Sequence, residues 1–534
     1  MMAKRKRSKK EITIPFKLWY ALTVCFLVIP VIVFFAGYLR LYVGIPLALM
    51  FAGFSVYAVA DCTKTANGKT ALAANTKDIV IPIKYFIGFA IAAVFISYLS
   101  GVGEFIYSLQ DHPFRRAILT DLIDYKWPVI YDYATQTNPE VIKEIGKTSG
   151  QTAFMYYFTY WMPAALFGKF FGRTAADFFL LLWNASGIFL ILLGMAKING
   201  RACVTQPIFF VFFGGLDVIP TLVHSATNYP IWTSIEGYVP DMSYYCNLCE
   251  LSNVYHQCVP AFLITVLVML SVNTRSFGLT GGVLFAYTPF GIFGILPVIL
   301  TAIFRKDMRQ DVKGTLKDLF TPANILPAAA LLIVYGSFYG ANFGAVGNNG
   351  FTWTFYSSFG LFALCYVCFL LIDVFPVSAI LFKRYRKNPF YLCALISLTL
   401  IPLYVMTWTN DFCMRASMPA RFIMCIFLSE IFKNYYDEDA KILASKKKRS
   451  RKEVTGLVFS ILAMILMMFP SFVNAYLIVG SQLTGEPNNK DIVGSFGNIN
   501  KATDGTTNYA YIVNNQFYTD NYGDSFFFRY LGKT

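Results

Sequence analysis

A chain of 534 residues that is 56% hydrophobic, 17% aromatic and only 14% charged is far from the soluble average, in which about a quarter of residues carry charge. Apolar runs of membrane-crossing length, about 20 residues, recur from end to end, which excludes a water-soluble fold. The formal net charge of +15 does not signal nucleic acid. Its excess gathers in 4–17, 383–387 and 433–453, short basic stretches beside apolar runs that the positive-inside rule expects in the cytoplasm and that suit anionic lipid headgroups.

In chain order, residues 1–16 form a basic cytoplasmic tail. The first apolar run is too long for a cleavable signal and is followed by Arg40 and a second run, so it reads as a span. Spans are predicted at 17–38, 41–60, 83–101, 152–171, 176–197, 206–222, 257–272, 281–304, 323–340, 354–382, 389–408, 417–433 and 454–477, about thirteen by the length rule. The predicted fold is therefore all-α, one polytopic transmembrane bundle over 17–480 with a polar tail over 481–534.

Alternation from a cytoplasmic start places 64–84, 169–173, 305–317, 383–387 and 433–452 inside, in agreement with their charge. It places the loop 101–151 and the tail outside, and predicts that 526–528 and Tyr530 pack there as a small cap. The weak stretch is 198–256: the basic KINGR falls outside, against the charge rule. A broken or re-entrant helix over 207–222, which holds Gly214, Gly215 and Asp217, would change the sidedness. No internal repeat of fixed period is visible.

Ionisable groups gather in 101–131, GVGEFIYSLQDHPFRRAILTDLIDYKWPVIY, directly after the third span. Within it, 114–123 has Phe114, Ala117, Ile118 and Leu122 at helical spacing, with Arg115, Arg116, Asp121 and Asp124 on other faces. An amphipathic helix lying in the interface is the expectation. Glu104, Asp111 and His112 then sit near the headgroup plane, where a carboxylate can deprotonate a hydroxyl or hold a divalent ion and an arginine pair can receive a phosphate. The plainer reading is a set of solvated or mutually paired loop charges.

The eleven cysteines are scattered, mostly within apolar runs, where Cys behaves as a small hydrophobe. Cys246, Cys249, His256 and Cys258 alone have metal-ligand spacing; a disulfide or packed thiols are the alternatives. Asp217 and Glu236, acids flanked by apolar residues, are candidates for a proton-linked or helix-break role, whereas Asp373 and Glu430 read as structural. Walker, G-x-S-x-G, HExxH and dinucleotide fingerprints are absent, so the chemistries they serve lack support.

The loop stretch resembles the first outside loop of bacterial multi-span proteins of the GT-C glycosyltransferase superfamily, with further similar stretches in the same order: YYFTYWMPAALFGKFFG at 156–172, GGLDVI at 214–219, TNDFCMRASMPARF at 409–422 and SFFFRYLGK at 525–533. The resemblance implies a plasma-membrane glycosyltransferase with its N-terminus cytoplasmic and its C-terminus outside. It would take sugar from a polyprenyl-phosphate donor and pass it to a cell-surface glycopolymer or glycolipid. Asp111 matches the loop aspartate and becomes the base or acceptor-orienting group; Glu104 stands where those proteins have Gly. Phe114, Arg115 and Arg116 depart from the pattern after the aspartate, so acceptor identity stays open.

A departing lipid phosphate needs a cation, and a guanidinium fork suits phosphate oxygens. Arg415 is the first candidate, with Arg421, Arg115 and Arg116 behind it. Asp411 is a pairing partner, and His112 and Asp217 are further binding residues. No cofactor is required, and a divalent metal is compatible. The competing readings are a transporter or flippase of a lipid-linked sugar, and a non-catalytic envelope-assembly protein.

Overall fold

The computed structural model describes residues 10–64, 76–106, 112–132, 151–227, 235–302, 312–342, 349–407, 410–445, 451–484, 495, 517–519 and 522–533. The described chain is almost entirely helical. Eight of its helices are long and apolar enough to cross a membrane: Phe16–Tyr38, Leu41–Asp61, Arg173–Ile198, Asn247–Leu270, Lys313–Gly340, Phe359–Tyr385, Asp411–Tyr435 and Val454–Gly480. An apolar backbone without water must bond to itself, and a helix does so within one segment. Proline marks several starts, at Pro322 and Pro389, where its missing N–H and fixed φ do no harm. The Asn388 side chain also accepts from Phe390 N at 2.9 Å.

Two helices form the centre. Some 94% of the apolar window of Asn247–Leu270 and 89% of that of Asp411–Tyr435 is buried, against 17% for Leu41–Asp61 and 22% for Val454–Gly480. The last two show their apolar sides outward, as lipid-facing helices do. Close packing depends on small residues. Gly294 lies on the Ala416 carbonyl of the central helix, where a Cβ would collide.

The bundle has two distinct ends. At the first, strands Glu11–Ile14 and Ile79–Pro82 pair antiparallel, and Phe16 N donates to Asp78 Oδ1 at 3.0 Å. Arg275 there bridges Asp61 (2.8 Å) and Asp318 (3.0 Å). At the other end, Ile130–Asp132, Gln151–Phe154 and Tyr518–Thr519 form a three-stranded sheet. Residues 526–533 dock beside it. Phe527 and Phe528 are buried against Phe34 and Phe338, while Arg40 donates to the carbonyls of Gly532 and Arg529, both at 2.9 Å. The expected cap is thus present, with Phe526 and Tyr530 exposed on its rim.

One predicted span is not a crossing. Gln151–Phe154 lies in the far-end sheet, Tyr160 then dips inward to donate to Asn184 Oδ1 at 2.7 Å, and Met162–Phe171 returns to the same end. There Lys169 Nζ reaches the carbonyls of Ile123 (2.9 Å) and Tyr125 (2.6 Å). Ten helical residues rise about 15 Å, half of a bilayer core, and the apolar composition of 152–171 hid the 3-10 turn Phe158–Trp161 that divides it. Lys169 and Arg173 therefore share an end with 101–132 instead of opposing it. The error propagates: Arg173–Ile198 runs back to the first end, where Lys197 contacts the Lys77 carbonyl and Lys433 Nζ donates to Asn199 O at 2.6 Å. KINGR thus joins the N-terminal end, and its conflict with the charge rule disappears.

The suspected break in 207–222 is real. Thr205–Phe212 stops, Phe213 is extended, and Val218–Thr227 resumes. The freed backbone is satisfied by protein, Phe213 O accepting from Asn247 N (2.9 Å) and Leu216 N donating to Ile372 O (3.1 Å).

Candidate functional site

The amphipathic helix foreseen in the loop spans His112–Asp124, with Ala117, Ile118, Leu119 and Leu122 buried. Asp111, the first choice for a base, lies outside the described residues. Its neighbour His112 does not face open water: Nε2 meets Ser252 O at 2.6 Å, and Arg115 Nη1 donates to the same carbonyl at 2.9 Å. That carbonyl is offered because the Asn247–Leu270 helix breaks at Val254 (φ −136°, ψ 36°); an unbroken helix would commit it to the next turn.

Glu104 follows a tight turn in which Gly101, Gly103 and Glu104 have φ of 70°, 80° and 60°. A left-handed residue with a side chain is strained, so Glu104 sits there at a cost. What Glu104 gains is a pair of cations: Arg173 Nη2 at 2.9 Å and Arg116 Nη1 at 3.3 Å. Burial nevertheless pushes its carboxyl up, with the two guanidinium groups opposing. Arg173 also binds Asp177 at 2.8 Å and contacts Thr120. A cleft of about 10 Å³, lined by Glu104, His112, Arg115, Trp161, Asp177 and Tyr255 among others, has room for roughly one water and not for a sugar ring.

Arg415 begins the deep part of the site. Asn410 (φ 47°) precedes the central helix, and its Oδ1 accepts from Cys413 N at 3.3 Å, an N-cap that fixes where the next turn points. One turn on, Arg415 is 7% exposed, paired with Asp411 at 3.1 Å and lying over the Tyr157 ring at 5.5 Å. Its Nε is buried without a partner among the described residues. Tyr157 belongs to the re-entrant segment, which therefore delivers an aromatic wall to this arginine. Arg115 and Arg415 both act electrostatically on the buried imidazole of His256, whose ring lies tilted against Trp161 at 4.4 Å. So the loop helix and the central helix, distant in sequence, bring two cations to one histidine.

Arg421 lies six residues deeper and does something else. Its Nη1 meets Glu250 Oε1 at 2.8 Å and the Tyr245 carbonyl, away from the loop. Around it stand Asp373 and Glu236, and Asp217 faces the same group of acids. Asp217 and Glu236 were legible as apolar-flanked acids. Asp373 was read as structural, and only folding shows that it joins them. Glu430, by contrast, is held by Arg384 (2.7 Å) and Tyr385 (2.8 Å), as a structural role requires.

The Cys246, Cys249, His256 and Cys258 spacing produces no ligand set. Among the described residues no three His, Cys, Asp or Glu side chains converge as a metal site, and all eleven cysteines are free thiols. Asn474 donates toward Cys246 Sγ (3.5 Å) and Asn253 toward Cys249 Sγ (3.2 Å); these two cysteines lie near Glu236, while His256 packs on Trp161. A larger groove of about 580 Å³ runs between Ile12–Ile29 and 183–193; it is lined almost wholly by apolar side chains and shares no lining residue with the loop cleft. Comparison with family models, with curated proteins and with solved structures finds no match to this chain.

Proposed function

We propose that the protein is a GT-C-like membrane glycosyltransferase of a bacterial plasma membrane. It would pass a sugar from a polyprenyl-phosphate donor to a cell-surface glycopolymer or glycolipid, at the end of the bundle that carries the loop and the cap. About thirteen passes would keep that end outside, with 151–171 re-entrant and the broken stretch 277–302 carrying the chain to that end and back. The observation that carries the reading is the pair Arg115 and Arg415 about His256. Two permanent cations act on this one imidazole, a setting that suits a phosphate, and Arg415 Nε, buried without a partner among the described residues, is a donor for one of its oxygens.

In this mechanism Asp111, next to His112 in sequence, orients or deprotonates the acceptor hydroxyl as its oxygen attacks the anomeric carbon. The bond to the donor phosphate breaks, and the phosphate leaves against Arg415 and Arg115. The narrow cleft requires the loop helix to shift when donor enters. A transporter of lipid-linked sugar is favoured by a separate observation, the buried acids around Asp217, and would use the same cations without a base.

Purified protein given a polyprenyl-phosphate hexose and candidate acceptors should release lipid phosphate. Arg415→Ala should lower that release at least a hundredfold, and Asp111→Asn likewise. If no release occurs with any acceptor and Asp111→Asn leaves the cell-surface glycan unchanged, the transferase reading fails. Sugar flipping in vesicles, abolished by Arg415→Ala alone, would establish the transporter instead.

A further inference from the structure

Asp217 and Asp373 come from two places where helices depart from regularity. Asp217 ends the extended stretch between Thr205–Phe212 and Val218–Thr227. Asp373 lies in the π-helical turn Leu370–Val374, and such turns, rare in general, recur at functional sites. The Leu216 N to Ile372 O hydrogen bond (3.1 Å) ties the two irregular segments together beside the acids.

Gly215 is the point on which both carboxylates converge. A Cβ built there would collide with Asp373 Oδ1 and stand 2.9 Å from Asp217 Oδ2, so the two oxygens are within charge-to-charge range, about 4–6 Å. Asp217 is 0% exposed, and neither of its carboxylate oxygens meets a partner among the described residues beyond its own backbone amide. Asp373 accepts from the Tyr238 hydroxyl. Glu236 faces the pair from the segment before Asn247 and is bonded by Cys246 N. Arg421 is the one cation acting on this group of described residues, and it is already paired with Glu250. Three buried carboxylates, Asp217, Glu236 and Glu250, and the half-buried Asp373 therefore face one guanidinium. Two like charges this close and this dry do not both ionise.

We propose that Asp217 and Asp373 form a proton-binding site, holding one proton between two helix breaks that the Leu216–Ile372 bond joins. The proton sits on one of the two carboxylates, so that a single anion remains across Gly215. Its departure would leave two anions facing each other across Gly215 and drive the broken helix away from the π-helical turn. Among the described residues no three His, Cys, Asp or Glu side chains converge here as a metal site. The inference does not rest on the transferase reading; a proton site serves a transporter or an enzyme with a moving helix break.

The test is infrared difference spectroscopy of the full chain in lipid nanodiscs. A protonated-carboxyl carbonyl band at neutral pH should lose intensity worth one carboxylic acid in Asp217→Asn and again in Asp373→Asn, since either change removes the second acid that makes the proton necessary. An unchanged band in both variants overturns the proposal, and loss in one alone replaces the shared site with a single buried acid. Because either variant could fail to fold, the wild-type protein is also melted across a pH series, with and without sodium, potassium or magnesium at each pH. Insensitivity to all three, with stability falling as pH rises, supports the proton, and stabilisation by one of them overturns it in favour of that cation.

Discussion

Replacing Arg421 with Met tests the charge arrangement at the centre of the bundle. The guanidinium is 4% exposed, bonds Glu250 Oε1 at 2.8 Å and the Tyr245 carbonyl, and lies over the Phe213 ring at 5.6 Å. Met restores most of the volume and none of the charge. Removing one member of a buried ion pair costs about 3–5 kcal/mol, because the other charge is left without compensation, and the lost carbonyl bond adds about 1 kcal/mol. At 1.4 kcal/mol per decade the unfolding equilibrium shifts by roughly three to four orders of magnitude. The double variant Arg421→Met with Glu250→Met should recover most of this, since a buried pair replaced by apolar residues of similar size is often neutral or better. Equilibrium unfolding in mixed micelles reads both. A single variant as stable as wild type, or a double variant no better than the single, would refute the assignment of Arg421 to internal charge balance and return it to the ligand-binding candidates.

Three further outcomes are expected. Glu104→Gly relieves a left-handed residue worth about 1 kcal/mol while losing two partly exposed ion pairs worth up to about 1 kcal/mol each. It should therefore melt within a few degrees of wild type and above Glu104→Ala, and the reverse order would show that strain at 104 is unimportant. Arg275→Met leaves Asp61 and Asp318 buried without their bridge and should destabilise by about 3 kcal/mol, an effect that Asp61→Asn in the same chain reduces. Burial alone pushes the Asp241 carboxyl up. An acid raised by the fold binds more protons folded than unfolded, so its contribution weakens as pH climbs from the ordinary aspartate range through the raised value. Asp241→Asn, which still tolerates the φ of 59° found there, should flatten the pH dependence of the melting temperature in that window.

Composition and run length made the helical membrane architecture legible, because they act on each segment alone. The loop helix was legible for the same reason: the 3.6 period of Phe114, Ala117, Ile118 and Leu122 is local. The course of 152–171 was not, since hydropathy averages over the turn at Phe158–Trp161 and cannot tell a span from a segment that enters and leaves by one face. Charge held the missing signal, for the misplacement of KINGR marked one predicted crossing too many upstream. Arg415 stood out as a costly charge near a span, but its approach to Arg115 through His256 depends on a helix kink at Val254 that no turn residue announces. Asp373 was missed because its partner Asp217 is remote in sequence and the π-helical turn that aims it has no fixed signature.

The grip of Arg40 on Gly532, two residues 492 positions apart, gives the cap a consequence for assembly in the membrane. Helices made early must insert and wait beside the Leu39–Arg40 corner with their far end unroofed, since the peptide that covers it emerges only after all the spans. Until then Phe34, Tyr38 and Phe338 form an open aromatic pit. A chaperone or a neighbouring lipid has that interval in which to occupy it, and the maturing protein is most vulnerable to proteases at the corner during the same interval.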